Sequence, residues 1–75
     1  MGFVRFKLKE GGTIFDCFVN EKNIAFISNF IENDHVYTIG AFEFQTEGGE
    51  RIIKSYEILE DTMGTIAKKL GLEGK

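Results

Sequence analysis

Tyr37-Thr38-Ile39-Gly40-Ala41-Phe42-Glu43-Phe44-Gln45-Thr46-Glu47-Gly48-Gly49-Glu50-Arg51-Ile52-Ile53-Lys54-Ser55-Tyr56 is the stretch whose reading decides the fold. Apolar and polar residues alternate on both sides of a glycine pair, which is the period of a half-buried strand. Gly48-Gly49 can supply the positive φ that a hairpin turn needs. A shorter copy stands earlier, as Phe6-Lys7-Leu8-Lys9-Glu10-Gly11-Gly12-Thr13-Ile14-Phe15. In each copy an aromatic and an apolar residue two positions apart lead into Glu-Gly-Gly and then a β-branched run. The pattern predicts two hairpins bridged by a middle strand and closed by one short helix.

Working outward, strands are expected over 3–9, 13–20, 24–32, 36–46 and 50–59, with a helix over 62–70 and a tail over 73–75, all in a single domain spanning 1–75. The fold class is mainly β: a five-stranded antiparallel meander, strongly coiled or partly closed as a barrel, with one C-terminal helix. In the first strand Val4, Phe6 and Leu8 share one face, and Arg5, Lys7 and Lys9 share the other. The second strand puts Phe15, Cys17 and Val19 on one side and Ile14, Asp16 and Phe18 on the other, so it is expected to be covered on both. The third sets Ile24, Phe26 and Phe30 against Ala25, Ile27 and Ile31; Ser28-Asn29 interrupts both patterns and suggests a bulge. Gly40, inside a long strand, marks a further bulge or a close backbone approach. Asp61 or Thr62 caps the helix, whose stripe is Met63, Ile66, Ala67 and Leu70. Gly71 follows it in the left-handed position.

Composition narrows the function classes. A chain of 75 residues buries only about 60–65% of its unfolded surface and needs support from disulfides, metal or a partner chain. One cysteine, Cys17, excludes an internal disulfide and fits a reducing compartment, so the expectation is cytoplasmic. Nine basic against twelve acidic side chains leave a net charge of −3, which argues against nucleic acid and against an anionic membrane surface. No apolar run approaches the roughly 20 residues of a membrane span.

Motifs for chemistry are few. There is no GxGxxG, Walker A, CxxC or paired-histidine pattern, so no catalytic, cofactor or metal residues are assigned. Glu32-Asn33-Asp34-His35 reads as an ordinary polar turn rather than a cation site, which needs more ligands. Cys17 reads as a small buried hydrophobe. Glu43 with Glu57 or Asp16 is the one carboxylate pairing an enzyme could use.

From Val19-Asn20 onward, Ile24-Ala25-Phe26-Ile27, Phe42-Glu43-Phe44-Gln45-Thr46-Glu47-Gly48-Gly49 and Ile58-Leu59-Glu60-Asp61 to Lys69-Leu70 follow a loose bacterial pattern. It resembles the small flagellar and swarming-motility proteins of FlbD type, and more distantly the DNA-binding half of LytTR regulators. That resemblance covers about two thirds of the chain and implies a β-meander with a terminal helix; the basic DNA-contacting residues of a LytTR domain are not evident. The Phe6-to-Asn20 hairpin is also similar to an Sm-like barrel, but the helix that begins that fold is missing.

The function expected is a small non-catalytic protein-interaction module, a homodimer with a further protein partner unidentified. Its dimer face would hold Ile14, Phe18, Ile27, Ile39 and Ile53, the apolar residues that one short helix cannot cover. The alternative is a nucleic-acid-binding regulator using the basic face Arg5, Lys7 and Lys9, joined by Arg51 and Lys54 if all five form one patch. A small enzyme or ligand-binding barrel is a further alternative.

Overall fold

The computed structural model describes residues 2–72; the tail expected over 73–75 lies outside the described residues. Strands β1 (Phe3–Glu10), β2 (Thr13–Asn20), β3 (Ile24–Glu32), β4 (His35–Gln45) and β5 (Arg51–Leu59) are followed by helix α1 (Met63–Lys69), with a single 3-10 turn at Glu21–Asn23 between β2 and β3. All five strands are antiparallel members of one sheet, in the order β2-β1-β5-β4-β3. The last strand made is therefore the middle one, and β2 and β3, neighbours in sequence, are the two edges. A three-residue link joins them, so the sheet coils, but its edges do not pair and it is not closed.

Residue chemistry sets the turns. Gly11, with φ 59°, leads the two-residue connection between β1 and β2, as a II′ turn requires. Asn33 and Asp34, with φ 53° and 62°, make the I′ turn between β3 and β4; their short polar side chains tolerate the left-handed region.

Alternation then sorts the faces. Val4, Phe6, Leu8, Val19, Phe42, Tyr56 and Ile58 form the core with Ile66 of α1, and Phe15, Cys17, Ile24, Ile27 and Leu70 pack at its margin. Phe6, Phe42 and Leu8 are its largest fully buried side chains. Gly40 lies beneath it: a Cβ there would stand 2.7 Å from Phe42 Cζ and 2.8 Å from Ile58 Cδ1. This is the close approach its strand position implied.

The bulge lies elsewhere than expected. Ser28 and Asn29 pair regularly with Ile39 and Thr38, and the register shifts between Ile24 and Phe26 instead. Ile24 and Ile27 both reach the core margin. Their spacing of three defeats a period of two, and one extra residue at Ala25 restores it. After the bulge Ile27, Asn29 and Ile31 share the core face, and Phe26, Ser28 and Phe30 the outer one, which corrects the faces read from plain alternation. Double coverage of β2 is also corrected: Ile14 and Phe18 are exposed.

Helix α1 crosses the core face. Thr62 is its N-cap, exchanging hydrogen bonds with Thr65. At the far end Gly71 (φ 71°) lets the Leu72 N–H reach the Ala67 carbonyl at 2.9 Å and the Gly71 N–H that of Lys68 at 3.1 Å, the paired bonds of a Schellman cap. The fold is broad and thin, 41 × 33 × 18 Å, with a radius of gyration of 13.0 Å; a compact chain of this length has about 11 Å.

Candidate functional site

The β3–β4 hairpin outruns the rest of the sheet. Strand β5 accompanies β4 from Gln45 to Ile39, whereas β3 follows it to the turn, with Phe30 opposite Tyr37, Ile31 opposite Val36 and Glu32 opposite His35. Residues 29–38 are thus a two-stranded ribbon, a form marginal in water on its own. Yet the ribbon is apolar on both faces: Ile31 is 72% exposed and Val36 54% on one side, and Phe30 46% on the other. Phe30 stacks on Tyr37 at 5.1 Å, and Tyr37 meets the His35 ring edge-on at 4.5 Å. His35 is the only histidine, and its visible role is to end this aromatic row.

Between β3 and α1 runs an open groove of about 290 Å³, lined by Ile24, Ile27, Met63, Ile66, Ala67, Leu70 and Leu72. It borders the free edge of β3. That edge carries no charged residue from Ile24 to Ile31. Strand edges are ordinarily blunted by charge or proline, as β2 is by Asp16, held by Arg5 at 2.7 Å.

The residues expected at a dimer face do not all lie together. By register Ile14, Phe18, Ile39 and Ile53 are on the outer face. Ile27 is on the core face and lines the groove, because the bulge at Ala25 turned it inward. Exposed Phe3 and Phe26 join the outer set.

The basic residues do not make one patch. Arg5, Lys7 and Lys9 follow one another along the outer face of β1 and Arg51 is on the outer face of β5, but Lys54 pairs in register with Phe42 on the core face. Acidic neighbours also neutralise them. Besides the Arg5 pair, Lys7 contacts Glu60, Arg51 contacts Glu43 and Lys54 contacts Glu10, each at 3.4 Å. The side chain of Tyr56, and then the Glu10 carboxylate, hold the Lys54 pKa above its ordinary 10.5, so this ammonium is charged at neutral pH.

A second hollow, of about 280 Å³, brings His35, Thr38, Glu57, Glu60 and Asp61 around its rim. Two of its three carboxylates are engaged: Glu60 by Lys7, and Asp61 by Lys69 at 2.7 Å and by the Thr65 hydroxyl at 2.8 Å. Neither carboxylate pairing considered from sequence is brought together: Glu43 lies opposite Ile53 and Glu57 opposite Ile39, four positions apart along the ladder, and Asp16 on β2 is three strands away from Glu43. Among the described residues, no three of His, Cys, Asp or Glu converge as metal ligands do. Cys17 is half-buried at the core margin.

Sequence reasoning missed Lys69. Its ammonium donates to the Arg5 carbonyl and to Asp61, both at 2.7 Å, and lies 5.1 Å from the centre of the Phe6 ring. Strand β5 pairs with β1 only at Lys7, Leu8 and Lys9; beyond that Lys69 takes up the β1 backbone. No sequence signal links residues 64 positions apart.

Among the described residues no helix is long and apolar enough to cross a membrane. No protein-family model, no curated protein and no solved structure matches the chain.

Proposed function

We propose that this chain is a small non-catalytic protein-interaction module that works as a homodimer. The observation that carries the reading is the ribbon of residues 29–38, which holds Phe30, Ile31 and Val36 in water on two faces. Isolated apolar residues on a surface need no explanation. A marginal two-stranded element that is apolar on both sides does, because it gains order only when something covers it. A second copy is the cover always at hand, and two-fold dimers are the commonest symmetric assembly. The nucleic-acid alternative is weakened by the ion pairs that occupy Arg5 and Lys7. The enzyme alternative is weakened by the engagement of Asp61 and Glu60. Light scattering on a size-exclusion column tests the proposal. At high micromolar concentration the expected mass is twice the 8.5 kDa of one chain; a clean 8.5 kDa species overturns it.

A further inference from the structure

The homodimer reading leaves open which surface the second copy covers, and the backbone of β3 narrows it. The I′ turn at Asn33-Asp34 joins Glu32 directly to His35, and a two-residue hairpin closes with a hydrogen-bonded pair at that position. Bonded and non-bonded pairs then alternate back along the ladder. Phe26, Ser28 and Phe30 turn their N–H and C=O toward β4. Ile27, Asn29 and Ile31 turn theirs outward, to the free edge. Those same three have side chains on the core face, where Ile27 lines the groove under α1 and Asn29 the second hollow.

Resting on the homodimer reading, we propose that the second copy docks edge to edge: β3 of one protomer pairs antiparallel with β3 of its partner about a two-fold axis at Asn29. Residues directly opposite one another must share a face, and bonded positions must meet bonded positions. An axis at Asn29 meets both conditions. It sets Ile27 opposite the partner's Ile31, Asn29 opposite its own copy, and Ile31 opposite the partner's Ile27, forming six main-chain hydrogen bonds. An axis at Ser28 runs Ile31 into the bulge at Ala25 and keeps only four.

Three further features fit this occupant. Ile31, 72% exposed, comes to lie beside the partner's Ile27 at the mouth of the groove that Ile24 and Leu70 line. The uncharged run from Ile24 to Ile31 puts no like charges opposite each other, which otherwise destabilise a strand pair. Antiparallel pairing also carries the acidic hairpin tip, with Asp34, to the start of the partner's β3, where Lys22 stands. Strand β2 is the poorer occupant because its ion-paired Asp16 occupies the middle of its edge.

Two variants and a mass measurement test the docking. In Asn29→Pro the residue that loses its N–H is one facing the free edge, so the β3–β4 ladder persists. That variant is expected to run as an 8.5 kDa monomer with unchanged far-ultraviolet circular dichroism, where the parent is a dimer. In a Cys17→Ser background, Asn29→Cys is expected to oxidise to a covalent dimer. Bonded antiparallel partners have Cα atoms about 5.5 Å apart, within disulfide reach. Glu32→Cys in the same background, far from its own copy, is expected to stay uncrosslinked. If Asn29→Pro does not fold, the cysteine variant decides alone. A parent that is dimeric while Asn29→Cys fails to crosslink overturns the edge pairing and leaves the homodimer. A mass above two copies that grows with concentration overturns it in favour of β3 on β2. A parent that is monomeric overturns the homodimer itself.

Discussion

Gly40 is the residue with the least room. Phe42 is 1% exposed and Ile58 3%, so neither can withdraw from a Cβ placed 2.7 and 2.8 Å away. Gly40→Ala is therefore expected to cost about 1–3 kcal/mol as overpacking, read as a lower urea midpoint. Gly12→Ala, where a Cβ meets nothing within 4 Å, is the control and should move the midpoint far less. Equal midpoints for Gly40→Ala and the parent would mean that the core is looser than drawn. Lys69 stands at the opposite extreme, one side chain joining α1 to β1 and to the link after β5. Lys69→Met keeps the stem but leaves the Asp61 carboxylate, 11% exposed, and the Arg5 carbonyl without this donor. A loss of about 1–3 kcal/mol is expected. Lys68→Met, on the same last turn, should stay within about 0.5 kcal/mol; matching losses in the two variants would refute the role given to Lys69. Gly40 announced itself in the sequence, since a glycine inside an apolar strand has few other uses. Lys69 did not, because a lysine near a helix end satisfies the dipole argument wherever it points.

Among the elements, α1 depends on one residue. Ile66 is 2% exposed while Met63 is 39% exposed, so the stripe read from sequence is buried mainly at its centre. Ile66→Ala should cost about 2–5 kcal/mol, a large share of what so small a domain has. Chemical denaturation checks it, and an unchanged midpoint would make the helix peripheral. The five strands and the helix were legible because period two and period 3.6 are written directly into apolar spacing. Their bounds differ from the sequence reading by a residue at several ends: β4 begins at His35 and β5 at Arg51. Neighbour order was not legible. Alternation tells which face a strand buries and nothing about the strand beside it, and β1 meets β5 across some fifty residues of chain. The bulge was misplaced because Ser28-Asn29 looked like an interruption, whereas the telling signal was two isoleucines, Ile24 and Ile27, three apart. That same slip put Ile27 on the wrong face. Four of the five residues grouped as a dimer face do share the outer face.

At the scale of the whole molecule, charge predicts an absence. With Arg5, Lys7, Arg51 and Lys54 each beside a carboxylate, single- and double-stranded nucleic acids should bind no tighter than about micromolar at physiological salt. Fluorescence anisotropy over a salt series checks this. A steep loss of tight binding with added salt, the mark of released counterions, would restore the regulator reading and make Arg5→Glu the next variant to study. The strand order has a consequence for how the chain is made. Hairpin β1–β2 is complete when Asn20 has been synthesised, but the strand that joins it to β4 ends at Leu59, 39 residues later. At translation rates of about 5–20 residues per second that is roughly 2–8 s, during which the β1–β2 half of the sheet waits for its keystone. The edge of β1 stays open throughout that interval, and the edge of β4 joins it once Gln45 has been made, until β5 inserts between them. Before Arg51 the nascent chain has the β1–β2 and β3–β4 hairpins but nothing to join them, and a pause in translation there would prolong the moment at which it is most open to the wrong neighbour.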